Sequence, residues 1–128
     1  MSAAKPQVLC WQMCDAVHID PATGKHYLLG CFSNIRARQF PTVHRRMVWF
    51  LTLTDAPVGK HTLRVSMGID METINKIIER PFESKSPLHK INLINDMHNL
   101  PFQNEGNYVI LIEVDGDPIL TTNLGVSG

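Results

Sequence analysis

The sequence predicts an all-β sandwich of about eight strands, immunoglobulin-like or jelly-roll in topology, forming one domain over residues 1–128. Three observations lead there. Apolar residues recur with period two through most of the chain, the repeat that sends alternate side chains to opposite faces of a strand. Clusters of Gly, Pro, Asn and Asp interrupt that alternation at short intervals and mark turns. Outside residues 70–80 no stretch carries helical apolar spacing.

The elements follow in chain order. Residues 8–19 read as a first strand, with Leu9, Trp11, Met13, Val17 and Ile19 on one parity. The run Asp20-Pro21-Ala22-Thr23-Gly24-Lys25 is a turn, because Pro presets φ and Gly supplies a positive φ. Residues 26–35 return as the hairpin partner. Residues 47–54 are apolar on both parities, which places them mid-sheet with both faces covered. After a turn at Asp55-Ala56-Pro57-Val58-Gly59, Leu63, Val65, Met67 and Ile69 alternate with Arg64, Ser66 and Gly68 as the clearest half-buried strand.

Residues 70–80 suit two states. Met71, Ile74, Ile77 and Ile78 fall at helical spacing between a capping Asp70 and Pro81, yet the surrounding strands favour a strand or bulged strand. Residues 91–93 form a further short strand, followed by a long turn through Asn99-Leu100-Pro101. Residues 108–114 and 119–126 close the chain as a hairpin around Asp115-Gly116, a strong hairpin signal.

Composition narrows the class. The 128 residues are 44% hydrophobic and 19% charged, which suits a globular core and excludes disorder. Twelve Lys and Arg balance twelve Asp and Glu, and this neutrality argues for no nucleic-acid partner. No apolar run approaches the roughly 18 residues of a membrane helix, and the N-terminal segment lacks a leader's apolar core. A cytoplasmic protein with no membrane partner is therefore expected. Cys10, Cys14 and Cys31 are odd in number and read as reduced, core-filling thiols rather than metal ligands.

One local motif sharpens the fold. Asn104-Glu105-Gly106-Asn107-Tyr108 ahead of alternating aliphatics resembles the tyrosine corner of immunoglobulin-like sandwiches, where a buried Tyr hydroxyl finds a backbone partner just upstream. The order Cys14-Asp15, Gly24-Lys25, Leu29-Gly30-Cys31-Phe32, Phe40-Pro41, Gly59-Lys60-His61 and Gly106-x-Tyr108 leading to Val114-Asp115-Gly116 resembles a family of short, uncharacterised bacterial β-sandwich proteins. The resemblance spans nearly the whole chain. It implies a fold, with no activity and no catalytic residues to carry over.

The search for chemistry yields two candidates. A histidine metal site on a strand wants a second ligand two residues on, so that both face one way. Only His18-Ile19-Asp20 satisfies this, with His26 across the turn as a third ligand; exposed hairpin polar residues are the plain alternative. Gly-x-Ser-x-Gly and phosphate-binding glycine loops do not occur, so no cofactor is expected. The second candidate is the run from Arg36 to Arg46, which holds four arginines and a histidine and no acid. Arg36, Arg38, His44, Arg45 and Arg46 suit an anionic group or protein partner, since the guanidinium fork matches carboxylate or phosphate. The plain alternative is a solvated connection whose arginines guard strand ends.

Neutrality itself is a cancellation. Residues 1–64 hold eight Lys and Arg against three acids, +5, and residues 65–128 hold four against nine, −5. Opposed charges of this kind steer association between copies or with another protein. A non-enzymatic protein-binding or self-assembling module is thus the leading reading. A small metal-dependent β-barrel enzyme using His18, Asp20 and His26 is the second, and a carbohydrate-binding sandwich ranks third because only nine aromatic residues exist.

Overall fold

The computed structural model describes residues 5–128, which contain ten strands and no helix. These are β1 (Gln7–Cys14), β2 (Ala16–Ile19), β3 (His26–Leu29), β4 (Asn34–Arg36), β5 (Thr42–Thr54), β6 (Gly59–Gly68), β7 (Asn75–Ser84), β8 (Ile91–Phe102), β9 (Gly106–Val114) and β10 (Asp117–Ser127). A three-stranded sheet runs β1-β5-β8 and a five-stranded sheet runs β4-β10-β9-β6-β7. Strands β2 and β3 form a separate ribbon. Every pairing is antiparallel except β4 with β10.

The two larger sheets meet across one core, as a sandwich requires. Met47, Trp49, Leu51 and Leu53 of β5 contribute one wall, and Leu63, Val65, Ile110 and Ile112 of β6 and β9 the other. Val48 and Phe50, on the opposite parity of β5, are also buried. The β2–β3 ribbon lies over them, with the His26 ring 5.6 Å from Phe50. Coverage of both faces of residues 47–54 is therefore real, and β5 is the middle strand of its sheet.

Several boundaries differ from the sequence reading. The first strand breaks at Asp15, whose N–H donates to the carbonyls of Leu29 and Gly30. Within β1 a register shift between Val8 and Cys10 leaves Leu9 unpaired and 55% exposed. That bulge moves Val8, not Leu9, onto the core side. Residues 26–35 do not form one strand. At Gly30 (φ 69°) the chain leaves the ribbon, Phe32 bridges to Met13 on the free edge of β1, and β4 crosses to the second sheet.

Residues 70–80 hold a turn and the start of a strand. The Asp70 carboxylate accepts from the N–H groups of Glu72 and Thr73 and from the Thr73 hydroxyl, so the turn ends before β7 begins. Strand β8 continues through the expected turn at 99–101. Asn99 adopts φ 54°, and the alternation inverts there: Leu93 and Met97 face the core before it, Leu100 and Phe102 after it. Both β7 and β8 are edge strands, which is where Pro81 and Pro101 can sit without breaking a ladder.

The tyrosine corner is present: the Tyr108 hydroxyl donates to the Asn104 carbonyl at 2.6 Å. Asp115 and Gly116 both take positive φ, 53° and 84°, as the two-residue β9–β10 hairpin demands. Arg80 of β7 closes one side of the sandwich by donating to the Ile94 carbonyl at 2.9 Å and the Asn95 side-chain oxygen at 3.2 Å on β8.

Candidate binding surface

The basic run lies at one mouth of the sandwich. Ile35 is buried and anchors β4 beside β10, so strand alternation turns Asn34 and Arg36 outward. The strands approach closely here, because Gly125 leaves the space that the Asn34 side-chain oxygen occupies. A cleft of ≈ 380 Å³ opens between this segment, the end of β1 and the start of β5, lined by Asp15, Gly30, Cys31, Phe32, Asn34, Ile35, Arg36 and His44. The Phe32 and His44 rings lie 6.0 Å apart within it. An adjoining depression of ≈ 310 Å³ is lined by Arg36, Ala37, Arg38 and Gly128, so Arg36 forms a shared wall.

Arg36 thus adjoins His44 in one cleft and Arg38 in the other, whereas Arg45 and Arg46 line neither. Arg45 is exposed but sits next to His44 on the strand and faces the other way. Arg46 is committed elsewhere: its Nε and Nη2 donate to the two oxygens of Asp96, both at 3.1 Å. These hydrogen bonds hold the Asp96 carboxyl below its ordinary range and push the Arg46 guanidinium above its own. His98 Nε2 lies 3.4 Å from the same carboxylate, at Oδ1. The acid missing from the basic run arrives from fifty residues away, across the β5–β8 ladder. Asp15, Phe32 and Asn34 line the cleft without having been singled out for chemistry, since they precede the charged run, and Cys31, expected to fill the core, is exposed there.

The candidate metal ligands are separated. His18 pairs across the ribbon with Tyr27, and His26 with Ile19, one register step apart. Successive pairs face opposite sides, so His18 points with Tyr27 to the exterior and His26 packs toward Phe50. The Asp20 carboxylate is engaged in its own turn, accepting from Ala22 N–H and the Thr23 hydroxyl, both at 3.0 Å. Among the described residues no three His, Cys, Asp or Glu side chains gather as a metal group.

A second polar constellation escaped the sequence reading. His61 Nδ1 lies 2.6 Å from Asp115 Oδ2 and Nε2 lies 2.6 Å from the Pro57 carbonyl, with the ring stacked 5.3 Å from Phe82. Two acceptors for two ring nitrogens suit the imidazolium, which donates from both. Burial opposes that charge, but the hydrogen bonds to Asp115 and Pro57 outweigh it and the His61 pKa is raised. With neither nitrogen free, the group is no general base. It ties the β9–β10 turn to β6, alongside the Thr62 N–H donated to Asp115 Oδ1 at 2.8 Å.

Some of the opposed charges of the two sequence halves are brought side by side by the strand pairing. Arg46 faces Asp96 and His61 faces Asp115. Arg64 lies opposite Glu79 on one side and Glu113 on the other in the ladder. Among the described residues, no ion pair involves Arg36 or Arg38.

Residues 9–127 match the sequence profile of DUF6941, a family of unknown function. No curated protein matches the chain. Among solved structures, the Pseudomonas fluorescens alkylpurine DNA glycosylase AlkC bound to DNA containing an abasic site analog is similar, with a TM-score of 0.56 and 11% identity. The likeness covers 98% of this chain but 31% of the glycosylase, and at that identity it is a likeness of fold. It nevertheless corrects the expectation of no nucleic-acid partner. A neutral total charge is a sum over the chain and leaves room for a local cationic rim, and a protein of similar fold is solved on DNA. No helix among the described residues is long and apolar enough to cross a membrane.

Proposed function

From the premise that this chain belongs to the DUF6941 family of unknown function, we propose that it is a non-enzymatic binding module of the bacterial cytoplasm. Its ligand on this reading is an acidic segment of another protein, held at the mouth between β4 and β5. The observation that carries the reading is the shared rim of the two clefts, where Arg36 stands between Phe32 and His44 on one side and Arg38 on the other. A guanidinium fork takes a carboxylate bidentately and an aromatic wall excludes water beside it. Arg46 is excluded from contact by its pairing with Asp96, and Arg45 acts only through long-range attraction.

Fluorescence anisotropy with a labelled glutamate-rich peptide tests this. Arg36→Gln with His44→Gln removes the guanidinium fork and the imidazole beside it and should weaken binding by about tenfold or more. Arg45→Gln should change it by less than about threefold, as rim charges do. Equal loss from both, or no binding by the native chain, would sink the proposal. Duplex DNA is the competing probe: tighter binding of DNA than of the peptide at equal salt replaces the protein partner with a nucleic acid. Light scattering supplies the self-association arm, in which a concentration-dependent mass abolished by Arg36→Gln makes the partner a second copy.

A further inference from the structure

We propose that Cys14 and Cys31 form a cross-strand dithiol that low-molecular-weight disulfides oxidise to an intramolecular disulfide. The site lies on the cleft, but the proposal does not depend on what the cleft binds.

The register carries it. Met13 and Phe32 form an antiparallel bridge with Phe32 N–H donating to the Met13 carbonyl at 3.0 Å. Further along, Asp15 N–H is shared between the Leu29 carbonyl at 2.9 Å and the Gly30 carbonyl at 3.2 Å, and Ala16 pairs with Leu29 in the same register as Met13 with Phe32. That common register on both sides sets Cys14 opposite Cys31. Met13 and Phe32 both pack against the inter-sheet core, so alternation sends both cysteines to the other face of the sheet. Residues directly opposite in an antiparallel pair have Cα atoms about 4.5–5.5 Å apart. That falls within the roughly 4.4–6.8 Å a disulfide spans. The electrostatics agree: burial pushes the Cys14 thiol up, and the next largest cause is the proximity of Cys31. Both thiols are free in the structure.

The two cysteines have unequal access, which orders the chemistry. Cys31 is exposed at the cleft and Cys14 is fully buried. The Cys31 thiolate attacks one sulfur of a small disulfide RSSR, the S–S bond breaks, and one RS⁻ leaves. Cys14 then loses its proton and attacks the Cys31 sulfur of the mixed disulfide, releasing the second RS⁻. Two protein thiols are oxidised by two electrons, RSSR is reduced to two RSH, and the two cysteine protons end on the leaving thiols. Cys10 shares the Cys14 face but lies four residues along β1, about 13 Å away at strand rise. It cannot substitute as the resolving thiol without moving the strand.

The test uses the full chain with oxidised glutathione, then alkylation under denaturing conditions and peptide mapping by mass. The reduced chain should take three alkyl groups, as its three free cysteines require. The oxidised chain should take one, on Cys10, with the 14 and 31 peptides joined. Cys10→Ser should oxidise equally. Cys14→Ser should stop at glutathionylated Cys31, and Cys31→Ser should leave Cys14 unmodified in the native chain, which keeps the test informative if the buried Cys14→Ser variant misfolds. A stable mixed disulfide on Cys31 in the native sequence, or a bridge to Cys10, would overturn the proposal.

Discussion

At the level of single residues, His61 shows how a side chain on one strand acquires its chemistry from partners far along the chain. Its raised pKa means that the folded protein holds a proton the unfolded chain releases near the ordinary value of 6.5. The resulting stabilisation is complete below that value and is lost as pH rises through the folded pKa. Asp115 shifts the other way: burial raises its pKa, but the hydrogen bonds from His61 and Thr62 prevail and hold it below 3.8. Its contribution is present above that value and is lost as pH falls through the folded pKa. The pair therefore stabilises most between about pH 4 and 6.5. Urea midpoints should fall between pH 6 and 8, and His61→Gln should flatten that fall. A native-like decline in the variant would assign the pH dependence to other groups. Sequence reading counted His61 among six histidines with no partner at plus two, because Asp115 lies 54 residues away.

At the level of elements, Gly30 decides how the ribbon joins the sandwich. Its φ of 69° lies in the left-handed region, and the Asp15 carboxylate fills the space a Cβ would take. Gly30→Ala should cost about 1–2 kcal/mol for the backbone alone, measured by urea denaturation. Because part of the clash is with a side chain, the cost should shrink when Asp15→Ala is combined with it. Additive losses would show that only the backbone matters. The elements themselves were legible wherever local chemistry specifies them, as in the Asp20–Gly24 turn, the Asp115-Gly116 hairpin and the Tyr108 corner. The bulge at Leu9 and the inversion at Asn99 were not. An unpaired residue is defined by the partner strand, and period-two counting alone carries no register.

For the molecule as a whole, β5 is the spine. Leu51 is fully buried between β1 and β8 and faces the second sheet. Leu51→Ala should destabilise by about 2–5 kcal/mol, the transfer loss plus a cavity. Unfolding followed by tryptophan fluorescence and by far-ultraviolet dichroism should still coincide, because both sheets share one core. Separated transitions would divide the sandwich into independent units. Global charge behaves similarly: the +5 and −5 halves interleave through the ladders, so Arg46 and His61 find acids within the molecule and Arg64 stands in register with two glutamates, while Arg36 and Arg38 remain at the rim.

Alternation and turn chemistry, which act over a few residues, determined from the sequence alone that this is a β-sandwich with both faces of residues 47–54 covered and a tyrosine corner at the start of β9. Only the tertiary structure decided which strands are neighbours and in what register. Register gave Arg46 an acid, turned His18 and His26 to opposite faces, and set Cys14 against Cys31. The physical reason is one of range. A strand's faces follow from the pleat of its own backbone, whereas the residue opposite each side chain depends on a pairing that closes loops of up to some ninety residues.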